Sequence, residues 1–328
     1  MQVLWASAAA WTAQQPLLHI THPICVSSDS SHTHLYRSRA KGARSVSLAS
    51  LRMDVEEGTD WTIASTRLFE MRRLESPVDD ECVISRDDLC GDQEPQVILL
   101  RHGESSWNDL NRFTGWHDVP LSELGEQQAV EAARLLLEEG ICFDHVYCSK
   151  LKRTIKTSWL LLEELDAFDI PITQAWQLNE RMYGALTGLN KKATRLQLGE
   201  LHYEQLRREP PPMEDDSCYD PSRGSVGRGV PPELMPRKES FEDTTRRVMP
   251  YWNDEILPRL HETGKSVLII SSKNLLRSLI VGITDLPIDQ AVELDIPNGM
   301  PIAFNPKDGT LRAVGPLADS WPRKAEST

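Results

Sequence analysis

Solid blocks of four apolar residues recur along the chain where alternation would mark a half-exposed strand. Val97, Ile98, Leu99 and Leu100 form one block, and Val267, Leu268, Ile269 and Ile270 form another. A strand covered on both faces reads this way. Runs at 143–148 and 170–176 predict two more strands. Between these blocks the spacing becomes helical. Ser122 can cap a helix that buries Ala129, Ala132, Ala133 and Leu136, with Gly140 as its stop. Ser149 is expected to cap a second helix with Leu151, Ile155, Trp159 and Leu162 on one face. Ser240 and Asp243 have the form of a capping box. They open a helix through Val248, Trp252 and Ile256 that Pro250 and Pro258 should bend or fray. A further helix starts at Leu275. Solidly apolar strands alternating with helices predict an α/β domain with a mainly parallel central sheet. Ligands of such sheets gather at the carboxyl ends of the strands.

The alternation covers only part of the chain. Residues 185–237, with prolines clustered at Pro210, Pro211 and Pro212 and at Pro231 and Pro232, predict an irregular surface excursion. The domain is expected at 96–305, followed by a polar tail, 306–328, that would fold over the pocket as a lid. Residues 1–53 are rich in Ser and Ala, with Asp29 their one acid and no basic residue before Arg37. That composition predicts a disordered organelle transit peptide, plastid rather than mitochondrial. A tail without an address, and a cytoplasmic protein, is the alternative. Residues 54–95 reverse the sign, with thirteen acids against four Arg, and predict a solvated acidic linker with one short helix around 65–74. The six cysteines form no C-x-x-C pair, so reduced thiols are expected rather than a zinc knuckle or a redox dithiol. No apolar run reaches the ~18–20 residues of a membrane span, and no membrane partner is expected.

Charge narrows the partners further. The net charge is −13, and beyond residue 53 the chain holds 31 basic against 48 acidic residues. A body this acidic repels phosphate backbones, so nucleic acid is not expected as a partner. An anionic substrate needs a local cluster of Arg and Lys. The end of the first predicted strand, Arg101-His102-Gly103-Glu104-Ser105, has the parts for a phosphoryl acceptor. A neutral imidazole is a nucleophile near pH 7. A guanidinium fork grips phosphate oxygens, and Gly lets ligand and backbone approach closely. No cluster of ligands at metal spacing is present, so no metal is expected.

Further motifs follow: Trp107-Asn108, Phe113-Thr114-Gly115-Trp116, Leu121-Ser122-Glu123-Leu124-Gly125, Cys148-Ser149-Lys150-Leu151-Lys152-Arg153 and Leu178-Asn179-Glu180-Arg181-Met182-Tyr183-Gly184. With them the chain, from about Gln96 to Phe304, resembles the histidine phosphatase superfamily and, more closely, its cofactor-dependent phosphoglycerate mutases. The resemblance implies a three-layer α/β/α fold and interconversion of 3-phosphoglycerate and 2-phosphoglycerate in glycolysis. His102 would become phosphohistidine, primed by 2,3-bisphosphoglycerate. Arg101 and Arg153 would hold the transferred group, Arg153 helped by the positive end of the helix that Ser149 opens. Glu180 would be the general acid and base. Asn108, Thr114, Gly115, Tyr183, Lys191, Arg207, Arg208 and Asn274 would bind the rest of a small phosphorylated three-carbon acid. A homodimer is also implied.

One position departs from the family pattern. Where the fourth strand should end in a second His followed by Gly and Asn, this chain reads Ser271-Ser272-Lys273-Asn274. Ser272 offers one neutral hydrogen bond, and losing a preorganised donor costs about 10²–10³ in kcat. Lys273 could return the lost charge. Three readings follow: a mutase in which Ser272 and Lys273 substitute for the His; an impaired mutase or a phosphatase acting on small phosphorylated metabolites; or a non-catalytic relative that binds anions or a protein.

Overall fold

The computed structural model describes residues 94–315, apart from 216 and 285, together with residue 321. The expected address, almost all of the acidic linker with its helix around 65–74, and most of the tail lie outside the described residues. Strand β1 (Val97–Arg101) is followed by the short helix α1 (Ser106–Asp109) and by α2 (Glu123–Glu138). Next come β2 (His145–Cys148), α3 (Lys152–Glu164) and β3 (Ile172–Gln174). The excursion carries α4 (Lys191–Leu198) and α5 (Glu200–Arg208), and the chain returns through α6 (Phe241–Tyr251) and α7 (Leu257–Thr263). It closes with β4 (Val267–Ser271), α8 (Lys273–Ile283), α9 (Ile288–Glu293), β5 (Pro301–Asn305) and β6 (Thr310–Ala313).

The six strands form one sheet in the order β3-β2-β4-β1-β5-β6. The first four run parallel, and β5 and β6 run antiparallel at one edge. Successive residues of β1 and β4 feed opposite cores, which is why both strands are apolar at their first four positions. Val97, Leu99, Val267 and Ile269 pack with α6 and α8 residues, whereas Ile98, Leu100, Leu268 and Ile270 pack with residues of α2 and α3. The mainly parallel sheet with a helical layer on each face is the expected α/β architecture. Among the described residues no helix is long and apolar enough to cross a membrane.

Local chemistry accounts for most of the boundaries. Ser122 accepts from the Gly125 N–H at the start of α2, and Ala129, Ala132, Ala133 and Leu136 are fully buried. The Ser240–Asp243 capping box is present in both directions. Between Pro250 and Pro258 the helix widens into a π turn, Trp252–Ile256, that separates α6 from α7. The wider turn accommodates a residue, Pro258, that lacks the N–H and crowds the carbonyl four residues back.

Several expectations need correction. Ser149 does not cap α3: Leu151 is the N-cap residue and makes no side-chain cap bond, while the Ser149 hydroxyl sits 2.7 Å from Thr154 Oγ1. Leu151 takes that place because its side chain is buried with Trp116 and Met182. The shift turns Trp159 outward, 59% exposed, and puts Thr154, Thr157 and Ser158 on the inner face. The excursion is not irregular throughout. Asn190 caps α4, and the hydrophobic stripe is faint because α4 and α5 each bury one residue, Thr194 and Tyr203. The sheet also runs past 305, since β6 pairs with β5 in what was read as tail. Most of the tail expected as a lid lies outside the described residues; Trp321 packs in the core with Leu279 and lines a surface cavity with Gly282 and Leu286, its indole donating to the Asp295 carbonyl at 2.7 Å. Cys148 and Cys218 are free thiols, but Cys142 is disulfide-bonded, a pairing that local spacing does not show.

Candidate active site

The register of the sheet sets the position of the central residues. Arg101 pairs with Ser271, so β1 and β4 end level and deliver His102 and Ser272 side by side at their carboxyl ends. The turn after β1 lies directly against the start of α2. A Cβ on Gly103 would meet the Gly125 carbonyl oxygen at 2.0 Å, and one on Gly125 would meet the Glu104 oxygen at 1.9 Å. Only two glycines permit this approach. Glu104 then closes the joint by accepting from the Ser122 hydroxyl at 2.8 Å.

His102 is held by its backbone and by both ring nitrogens. Its N–H donates to the Ser271 carbonyl at 3.0 Å, and its carbonyl accepts from Asn298 Nδ2 at 2.7 Å. Arg153 Nε lies 3.2 Å from His102 Nε2, and a guanidinium can only donate, so Nε2 carries the lone pair. Nδ1 therefore carries the hydrogen and donates to the Gly103 carbonyl at 2.6 Å. Burial, then the charges of Arg153 and Arg101, holds the imidazole well below its ordinary pKa against the opposing pull of the Gly103 bond. The ring is neutral at physiological pH, with its nucleophilic nitrogen facing a guanidinium.

Arg153 is 1% exposed and is the second residue of α3. Its remaining nitrogens donate to the His117 and Gly115 carbonyls at 3.1 and 3.0 Å. Burial lowers it to about 10, so it stays cationic. Arg101 donates to the Ile296 carbonyl at 2.8 Å, and its buried Nε finds no partner among the described residues. Glu180 shares the cavity with these groups, and its Oε1 accepts from the Arg181 N–H at 2.7 Å.

The cavity is small, about 70 Å³, and partly open. Arg101, His102, Arg153 and Glu180 line it as expected, together with Asn108, Thr114, Tyr183, Lys191, Lys273 and Asn274. Asn274 is oriented by the Tyr183 hydroxyl, with Nδ2 2.6 Å away. Burial, followed by the charge of Arg101, lowers Lys191 and Lys273 each to about 8. Lys273 also forms an ion pair with Asp295 at 2.8 Å.

Four expected site residues do not line the cavity. Gly115 contributes only the carbonyl that holds Arg153. Ser272 is 1% exposed, and its hydroxyl accepts from the Arg153 guanidinium at 3.4 Å. Arg207 pairs with Glu204 at 2.8 Å, and Arg208 is exposed on α5. Arg207 is nonetheless close enough for its charge to bear on Lys191 and Arg277.

Arg112 lines the cavity and was missed, although it stands beside the Phe113-Thr114-Gly115 motif. Asp295 and Asn298 were missed too, because nothing in an acid and an amide between α9 and β5 marks them in sequence. Among the described residues no group of His, Cys, Asp or Glu is placed to hold a metal ion.

The family described as the histidine phosphatase superfamily (branch 1) matches residues 97–315. Similar solved structures include a mycobacterial glucosyl-3-phosphoglycerate phosphatase in complex with VO3. It is 22% identical, with 67% of this chain and 96% of that chain covered and a TM-score of 0.50. Mycobacterial hydrolase 1 is 20% identical over 71% of this chain and 100% of its own, with a TM-score of 0.50. Phosphoglycerate mutase from Bacillus anthracis strain Sterne is 23% identical over 68% of this chain and 93% of its own, with a TM-score of 0.47. At these identities the likeness speaks to fold alone.

Proposed function

The chain belongs to branch 1 of the histidine phosphatase superfamily, and from that premise we propose that it transfers phosphoryl groups through phosphohistidine at His102, as a phosphoglycerate mutase that interconverts 3-phosphoglycerate and 2-phosphoglycerate. The observation that carries this reading is the neutral imidazole whose free lone pair faces Arg153 in a cavity that also holds Glu180. His102 Nε2 bonds to phosphorus as the phosphorus–oxygen bond of the donor breaks. Arg153 and Arg101 take up the charge that spreads over the phosphoryl oxygens. Glu180 gives the leaving oxygen its proton and later removes the proton of the attacking hydroxyl. Arg112, Lys191, Tyr183 and Asn274 line the same space and suit a second anionic group, which supports a substrate that is both a phosphate and a carboxylate.

The donor set also fits 2,3-bisphosphoglycerate, since the buried Arg101 Nε has no protein acceptor among the described residues and two further ammonium groups line the cavity. Arg101, Arg153 and Lys191 would hold it, and when bound it supplies the first phosphoryl group.

A second reading is favoured by the end of β4. The Ser272 hydroxyl does not line the cavity and Lys273 is engaged by Asp295, so neither stands free in place of an imidazole. Transfer from His102 to water, as in a phosphatase of small phosphorylated metabolites, is the outcome this favours. A coupled 3-phosphoglycerate to 2-phosphoglycerate assay, with intact-mass detection of the phosphorylated protein, separates the readings. The mutase reading expects turnover and an adduct that His102→Ala abolishes. Phosphate release without isomerisation moves the activity to phosphatase. No adduct from any phosphorylated acid leaves an anion- or protein-binding relative. Lys273→Ala loses turnover if Lys273 replaces the missing donor, and Ser272→His raises a low rate if nothing does.

A further inference from the structure

A buried ion pair outside the cavity grips the backbone on both sides of Glu180. Glu239 precedes α6, Arg247 lies within it, and their side chains are 5% and 7% exposed. Arg247 Nε and NH2 donate to the two Glu239 oxygens at 2.6 and 2.8 Å. The rest of the guanidinium is spent on carbonyls of one short stretch: Gln177 at 2.8 Å, Asn179 at 3.0 Å and Glu180 itself at 3.2 Å. Glu239 reaches the other side, accepting from the Met182 N–H at 2.8 Å. Trp116, which lies under Arg247 at 5.5 Å, adds a third hold by donating its indole N–H to the Glu180 carbonyl at 2.6 Å.

Stability alone is a poor reason for this arrangement. A buried ion pair costs desolvation of both partners and is often matched or bettered by apolar packing. What apolar packing cannot do is fix carbonyls 177, 179 and 180 and amide 182 to one rigid body. Proton transfer depends on placing the carboxyl group within hydrogen-bond reach of the oxygen it serves. We infer that Glu239 and Arg247 are positioning residues for Glu180, holding its carboxyl group where it can protonate the leaving oxygen. The inference rests on the reading of Glu180 as the general acid.

Leaving-group dependence tests it. An alkyl phosphate needs its departing oxygen protonated, whereas p-nitrophenyl phosphate releases an anion that leaves without a proton. First-turnover phosphorylation of His102 is followed by rapid quench and intact mass, with 2,3-bisphosphoglycerate or p-nitrophenyl phosphate as donor, alongside thermal unfolding. Arg247→Lys keeps a cation opposite Glu239 but cannot span three carbonyls. Glu239→Gln keeps shape and an acceptor for Met182 while removing the charge, and it carries the test should Arg247→Lys fail to fold. Each is expected to slow phosphorylation from 2,3-bisphosphoglycerate by about 10²-fold while leaving that from p-nitrophenyl phosphate unchanged. Equal slowing with both donors, or none with either, overturns the inference. Glu180→Gln is the control: if it shows no difference between the donors, the assignment of Glu180 as acid fails first.

Discussion

Lys191 and Lys273 carry the titration that the site feels just above neutrality. Each is lowered to about 8, by burial first and then by the charge of Arg101. Both are cationic below that value and lose their charge as pH rises through it. His102 does not titrate in that range, since burial and the neighbouring Arg charges push its pKa well below 6.5. The KM for a phosphorylated acid should therefore rise above about pH 8, with no matching loss of nucleophile between pH 6 and 8. Lys191→Met should weaken binding about 10–100-fold at pH 7, the weight of a charge-assisted bond, and flatten the alkaline limb of a KM–pH profile. At this scale the sequence was most readable where chemistry is concentrated. His102 and Arg101 are marked by residue type at a strand end, whereas Arg153, Glu180 and Ser272 are placed near them only by the resemblance to the family pattern. Register fixes where a Cα stands. It does not show that the Ser272 hydroxyl stays off the cavity wall, 3.4 Å from the Arg153 guanidinium.

Elements were legible in proportion to their burial. β1 and β4 read clearly because four successive apolar side chains in each are fully buried, and α2 because four buried positions repeat at helical spacing. α4 and α5 escaped notice because each buries a single side chain, so no stripe forms. The most sensitive joint between elements is the contact of the turn after β1 with α2. Gly125→Ala would drive a methyl into the Glu104 carbonyl, and the backbone would have to part. Overpacking of this kind costs about 1–3 kcal/mol. Urea unfolding should show a lower midpoint with an unchanged slope. The rate of His102 phosphorylation should fall as well, because that turn carries the nucleophile.

For the whole molecule, the extent of the sheet matters more than the composition of the tail. A polar stretch after 305 reads as an appendage, yet Ala313 and Trp321 are buried in the same core as Val97 and Leu279. A chain ending at 305 would lose β6, bare the outer edge of β5 and open that core. It is expected to lose cooperative unfolding and to aggregate, by light scattering and urea titration. Trp321→Ala alone should cost about 3–5 kcal/mol, in line with large-to-small core changes. Within an acidic body the cavity gathers Arg101, Arg153, Lys191 and Lys273. That these come from β1, α3, α4 and α8 follows from a topology which brings their ends together.

His102 is fastened by Ser271, Asn298, Gly103 and Arg153 at once, so its ring has no latitude to swing. In any isomerisation it acts as a stationary anvil, and the metabolite has to pivot on it. The cavity is partly open, so the end of the metabolite away from the phosphoryl group has a side on which to swing. The choice between isomers then falls to how the substrate pivots, since the nitrogen that carries the phosphoryl group keeps its place.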